Sequence, residues 1–377
     1  MSRKLAFLAA SILGATALLP GQGQATQPME LIPGNSEARP IVDVNPTNDL
    51  SVKSRNKAGT LQTELDKRTG KNGPPIMGGS QSGYLNSDGL PGGTSWSSQS
   101  GLSAGDGWPT IGLWASGAYT YFSDDHASVD VTSHTYSGTF GADVQPFDFL
   151  IAGLSFSYDD TRSDSDLPLP AGGTNDAHDD TDTYTVAPYA VFIINDMFDV
   201  DASFGYSWSD TDSQRFNGTT IVTSSTDSDA WFFAVNGNAT MWFDYVGVTG
   251  SLGYRRSSSE TDGFTESDGT VVNSAETTLG TFVGRARVSY YWPTGMEVVQ
   301  SVLPFVSIAA EWDHVKDEAD VGPTQAKPTN DTFGLVLSGG VNVGIMDGVS
   351  AGIEASGIAL RTDQSSATVS GNVSISF

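Results

Sequence analysis

The sequence predicts an all-β fold, a twelve-stranded antiparallel up-and-down transmembrane β-barrel behind a largely irregular N-terminal segment. Three observations predict it. From Trp108 onward, apolar and polar residues alternate with a period of two; the alternating segments are about 13 residues long; and the connections between them are short and long in turn. Side chains of a strand point alternately to its two faces, so this alternation yields one apolar and one polar face. Segments of about 13 residues exceed the ~9–11 residues that cross a bilayer with tilt. A Greek-key sandwich has no reason to alternate short and long connections, whereas tight turns on one rim and long loops on the other are what an up-and-down barrel requires.

The elements follow in order. Residues 1–25, MSRKLAFLAASILGATALLPGQGQA, carry Arg3 and Lys4, an apolar run from Leu5 to Leu19, a helix-breaking Pro-Gly and then small residues to Ala25. That is the layout of a secretory signal peptide, and the run falls short of the ~20 residues of a spanning helix. Residues 26–107 have little strand patterning. The basic stretch VKSRNKAGTLQTELDKRTGK allows about three helical turns over Ala58–Arg68, ended by Gly70, and the Gly/Ser-rich remainder reads as mostly disordered linker.

Residues 108–377 hold the barrel. Strands are expected at about 110–122, 131–145, 148–160, 181–194, 197–209, 229–243, 245–257, 276–292, 300–315, 330–346, 349–361 and 365–377. In the fifth, Phe198, Val200, Ala202, Phe204, Tyr206 and Trp208 alternate with Asp199, Asp201, Ser203, Gly205, Ser207 and Ser209. Short turns are expected around Pro146, Asn195, Asp244 and Asp347, with Asp-, Ser- and Thr-rich loops between the other ends. Aromatic residues near the strand ends, among them Tyr119, Tyr158, Trp208, Tyr290 and Trp312, suit the interfacial girdles of a barrel. The last strand closes on the first and ends on Phe377, an aromatic anchor on the lipid face.

Composition excludes several classes. With no cysteine there are no disulfides and no thiol chemistry. From Trp108 onward 36 Asp and Glu face 9 Lys and Arg, a balance of −27, whereas Thr26–Gly107 has 8 against 7. Nucleic acid binding rests on neutralising phosphates with cations, so it is excluded as a partner. No cofactor motif is present.

Beyond the residues themselves, Trp108–Phe377 resembles the autotransporter β-domain, the translocator of type V secretion. GTFGADVQPFDFLIAGLSFSY, LPFVSIAAEWDHV and the terminal GLVLSGGVNVGIMDGVSAGIEASGIALRTDQSSATVSGNVSISF carry the likeness, with strand count and loop alternation. The resemblance implies the outer membrane of a Gram-negative cell, a lumen crossed by an N-terminal helix, an exported passenger upstream, and a terminal aromatic read by the barrel assembly machinery. About 80 residues lie between the expected signal peptide and the first strand, without β-helix repeats, so the passenger is expected to be missing or vestigial.

Strand parity assigns the lumen. Asp143, Asp199, Asp201, Arg255, Arg285, Arg287, Glu311, Asp313 and Glu354 project inward, because a charge facing lipid costs roughly 2–4 kcal/mol at mid-bilayer. They either brace a small barrel as ion pairs, with Arg285 and Arg287 beside Glu311 and Asp313, or form a field that a permeating ion or inserted helix must meet. The basic 53–71 segment is exposed linker or such a helix, paired with Asp199 and Asp201. The stretch between Asp159 and Asp182 contains eight Asp, but its spacing does not match an EF-hand; it reads as a solvated loop that meets divalent cations loosely. Of four histidines, His314 follows Asp313 but points to the opposite face, so no catalytic pair forms. The expectation is a non-enzymatic barrel that acts as a translocator-like or pore-forming protein. The alternative is a surface adhesin or binding protein that works through its long acidic loops. No catalytic, cofactor or metal residue is assigned, and the oligomeric state is left open.

Overall fold

The computed structural model describes residues 46–69, 110–124, 130–168, 174–217, 219–317, 332–346, 348–362 and 364–377. The signal peptide expected at 1–25, and the linker expected at 26–45 and 70–107, lie outside the described residues. One helix, α1 (Pro46–Arg68), precedes the sheet. The sheet comprises β1 (Thr110–Asp124), β2 (Asp130–Phe147), β3 (Leu150–Pro168), β4 (Thr174–Ile193), β5 (Phe198–Phe216), β6 (Ile221–Phe243) and β7 (Val246–Thr261). It continues through β10 (Ala275–Tyr290), β12 (Ser301–Asp317), β13 (Phe333–Met346), β14 (Val349–Ala359) and β15 (Gln364–Ser376). Between these lie a two-residue hairpin, β8 (Phe264–Thr265) with β9 (Val271–Val272), and the short β11 (Trp292–Pro293).

Every long strand pairs antiparallel with its sequence neighbour, and β1 pairs with β15 from Gly112↔Ser376 to Asp124↔Gln364. The twelve long strands therefore form a closed barrel. Closure leaves no open ladder edge, the condition for backbone in a medium without water. The outward face is apolar and open: Leu154, Leu252 and Ile353 are 54%, 76% and 58% exposed. Aromatic rows bound it. Tyr158 and Tyr184 meet at 5.3 Å near one end, and Phe147 and Phe149 stack at 5.3 Å at the other. Phe377 lies on the same face, its N–H donating to the Ile111 carbonyl at 2.9 Å.

The strands run further outward than the sequence suggests. The stretch from Asp159 to Asp182, expected as a loop, continues the β3–β4 ladder to Pro168↔Thr174. β5 and β6 likewise pair out to Phe216↔Ile221. The reason is a polar ladder on the inner face. Hydroxyl pairs such as Thr181–Thr211 at 3.0 Å and Thr183–Ser209 at 2.9 Å replace apolar cross-strand contacts. On the outer face, Asp160, Asp182, Asp210 and Asp227 fall in one register row beyond the aromatic belt. Four like charges in a row are tolerable only in water, so this row marks where the apolar band ends. Among the described residues, no group of three or more His, Asp or Glu side chains is arranged to hold a metal ion.

Candidate functional site

The site is the bore of the barrel, and α1 fills it. Sequence periodicity suggests helix only over Ala58–Arg68, but the helix starts at Pro46, so this part of the expected linker is ordered. Pro is well placed there, since a first-turn N–H has no intrahelical partner to lose. The first half lacks an apolar stripe because the surrounding wall is itself polar. Asn56 donates to Thr120 of β1 at 3.0 Å, and Gln62 accepts from Asn236 of β6 at 2.7 Å. Arg55 reaches β12, Lys57 reaches β3 and Arg68 reaches β2 and β15. Partners on all sides put the helix inside the ring.

Three charged levels fix it axially. Nearest the long-loop rim, Lys57 Nζ lies 2.6 Å from Asp159 Oδ2. At mid-height, Arg55 binds Glu311 through two nitrogens, at 2.9 and 2.7 Å. Glu311 also faces Arg255 at 3.5 Å and Arg361 at 3.6 Å, and Arg361 bridges on to Asp313 at 2.9 Å. Thr281 donates to Asp313 at 2.7 Å beside a register shift in β10. At the short-turn rim, Arg68 Nε donates to Asp143 at 2.8 Å and Nη1 to Ser376 at 2.5 Å. Tyr189 donates to Asp143 at 3.2 Å and accepts from Trp114 Nε1 at 2.8 Å.

A small apolar core sits between the lower charged levels. Leu61 and Leu65 of α1 pack with Trp114, Ile151, Tyr189, Val191 and Phe232 of the wall. Trp114 fits only because Gly141 has no side chain, since a Cβ there would overlap the indole. Gly141→Val should therefore lower stability by about 1–3 kcal/mol, the range for an overpacked interior. The midpoint of heat-modified gel mobility checks this.

The other predicted residues fall as follows. Asp199 and Asp201 meet the Asn side chains of the wall, and Asp201 also bonds Gln62 of α1. Asn238 donates to both, at 2.7 and 2.8 Å, and Asn236 donates to Asp201 at 2.8 Å. Arg285 and Arg287 stand opposite Ala309 and Ser307 in register, not beside Glu311 and Asp313. Arg287 lies 3.7 Å from Asp66 of α1 and 3.7 Å above the Phe305 ring. Arg285 and Glu354 line a second cavity, of about 130 Å³, beside the helix. His314 Nδ1 lies 3.1 Å from the Gly280 carbonyl oxygen, its ring against Phe282 and Tyr254.

Two participants escape sequence parity. Arg361 would point outward with Ile353 and Ala355, but Leu360 adopts φ 61° and turns the chain, burying Arg361. Asp159, at the end of the expected third strand, is missing from the expected lumen set but is buried against Lys57. At the outer mouth, the segment between β7 and β10 folds inward, anchored by a buried Arg215–Glu266 pair at 2.5 Å. Beside it, the Thr270 backbone N–H holds the Asp268 carboxyl below its ordinary range.

The profile of the autotransporter beta-domain family matches residues 113–356. No protein with a curated description matches. Among solved structures, the chain is similar to the translocator domain of the autotransporter NalP from Neisseria meningitidis. That match has a TM-score of 0.56 and 15% identity, over 86% of this chain and 99% of that one. The β-domain of the Bordetella autotransporter BrkA aligns with TM-score 0.53 and 12% identity, over 70% and 98%. The transport unit of AIDA-I from Escherichia coli aligns with TM-score 0.53 and 11% identity, over 73% and 93%. At these identities the structural likeness shows the fold.

Proposed function

Because this chain belongs to the autotransporter β-domain family, we infer that it is an outer-membrane translocator barrel at rest, its lumen held shut by its own helix. The observation that carries this is the direction of α1. Its middle residue Lys57 meets the long-loop side of the wall and its last residue, Arg68, the short-turn side. The N-terminal end of α1 therefore points to the long-loop rim, where a translocator delivers its cargo. Closing the bore with an ion-paired helix keeps the outer membrane sealed once delivery is over.

Residues 1–25 direct export through the inner membrane and are cleaved after Ala25. Phe377 is the assembly signal, because it ends an unbroken alternation on the lipid face. The role is non-enzymatic: His314 sits among outward-facing aromatic rings, while the carboxylates of Glu311 and Asp313 are held by arginines.

An epitope inserted just before Pro46 tests the direction of the helix. On intact cells it should bind antibody and be removed by added protease. Accessibility only after the outer membrane is permeabilised would reverse the orientation and defeat the reading. Deleting Phe377 should separately leave heat-modifiable barrel scarce and unfolded chain in the periplasm. Normal levels of folded barrel would show that Phe377 carries no assembly signal.

A further inference from the structure

Above the helix, the outer mouth encloses a cavity of about 230 Å³ that translocation does not use. Its wall is a hydroxyl surface from β3, β4 and β5, typified by Thr161, Thr183 and Ser207. Its apolar side comprises Phe122, Phe232 and the inward hairpin residues Phe264 and Val272. Among the described residues, four charged ones line it: Lys53, Lys57, Asp159 and Asp179. These two cations and two carboxylates balance, so this described lining favours neither anion nor cation.

Two lining atoms point to an absent partner. Among the described residues, the Oγ of Ser257, which is 1% exposed, has no hydrogen-bond partner, and Asp179, which bonds Ser213, keeps its Oδ1 buried without one. Buried polar atoms are ordinarily satisfied, and leaving one unmade is costly. A hydroxyl offers one donor and two lone pairs. The wall hydroxyls pair sideways, as Thr185 with Ser207 at 2.8 Å, and keep further lone-pair capacity. The fitting ligand has many hydroxyls, no net charge and one apolar face. The cavity's 230 Å³ lies below the ~300–1,000 Å³ of sites for drug-sized ligands, which limits the ligand to one ring or a short polyol.

We propose that this outer vestibule is a binding site for a single neutral sugar ring or polyol, held by Ser257, Asp179 and the hydroxyl wall against Phe122 and Phe264. The site faces the exterior and is independent of whether the barrel exports anything.

Titration calorimetry on the folded full chain, in a detergent without a sugar headgroup, tests it. The probes are glucose, galactose and mannitol, with glucosamine and gluconate as charged comparators. At least one neutral probe should bind, and its charged analogue should bind about tenfold more weakly, since it adds an unpaired charge to a balanced chamber. Ser257→Ala should weaken the neutral probe about tenfold, the loss for one hydrogen bond left unmade. Asp179→Asn leaves the chamber net positive and should shift preference toward gluconate. If Asp179→Asn fails to fold, Thr183→Val takes its place and should weaken the neutral probe. Silence from every neutral probe would mean that water alone fills the vestibule. Equal binding of charged and neutral probes, or binding untouched by the folded variants, would overturn the proposal equally.

Discussion

Replacing Glu311 by Ala is expected to destabilise the folded barrel by about 3–5 kcal/mol, the range for breaking a buried ion pair from one side. Glu311 is 2% exposed and is the shared acceptor of Arg55, Arg255 and Arg361. Removing it leaves three guanidinium groups around one small volume, with Asp313 bound only to Arg361 among them. Like charges then repel where the dielectric is low. A second change separates this from simple cavity formation: Arg55→Met in the Glu311→Ala background should recover part of the loss. Wall charge then balances better and α1 keeps an apolar stem in place. The difference between single and double variants is the coupling energy, measured from unfolding midpoints in detergent. An unchanged midpoint for Glu311→Ala would mean that the charged level carries no stability.

A barrel lacking residues 46–69 is expected to conduct cations in preference to anions. Without α1, Asp159 loses Lys57 and Asp143 loses Arg68. Glu311 and Asp313 stay matched by Arg255 and Arg361, so the mid-height wall is neutral. The carboxylates freed at the two rims, with Asp199 and Asp201 between them, then set the field. Acidic walls raise the local cation concentration several-fold, and salt screens this over about 10 Å at 0.1 M. Reversal potentials in a salt gradient should show cation preference that fades as ionic strength rises. Anion preference would mean that Arg255, Arg285 and Arg287 dominate the constriction.

Most of the barrel was legible because lipid enforces strict alternation. Residues 197–209 and 330–346 read as strands from their side-chain pattern alone, and β5 and β13 run through them. What remained hidden depended on local backbone or on the polar interior. A left-handed Leu360 re-aimed Arg361. Ser, Thr and Asp residues, which look like loop, carried β3 to β6 outward because hydroxyl pairs substitute for apolar ones. The first half of α1 was invisible to periodicity, since a helix surrounded by polar wall needs no apolar stripe. Asn236 and Asn238 donate to Asp201, Asn238 also to Asp199, and Gln62 of the helix bonds Asp201, whereas the helix cations meet Asp143, Asp159 and Glu311.

The central claim is that α1 closes the pore of an otherwise open translocator barrel. Planar bilayer recordings of the full chain beside the form lacking residues 46–69, each verified as folded by heat-modifiable mobility, test it most directly. The full chain should be nearly silent or show brief, small events, and the deleted form should show a steady, much larger conductance. Equal conductance from the two folded proteins would contradict the claim and place the helix outside the conducting path.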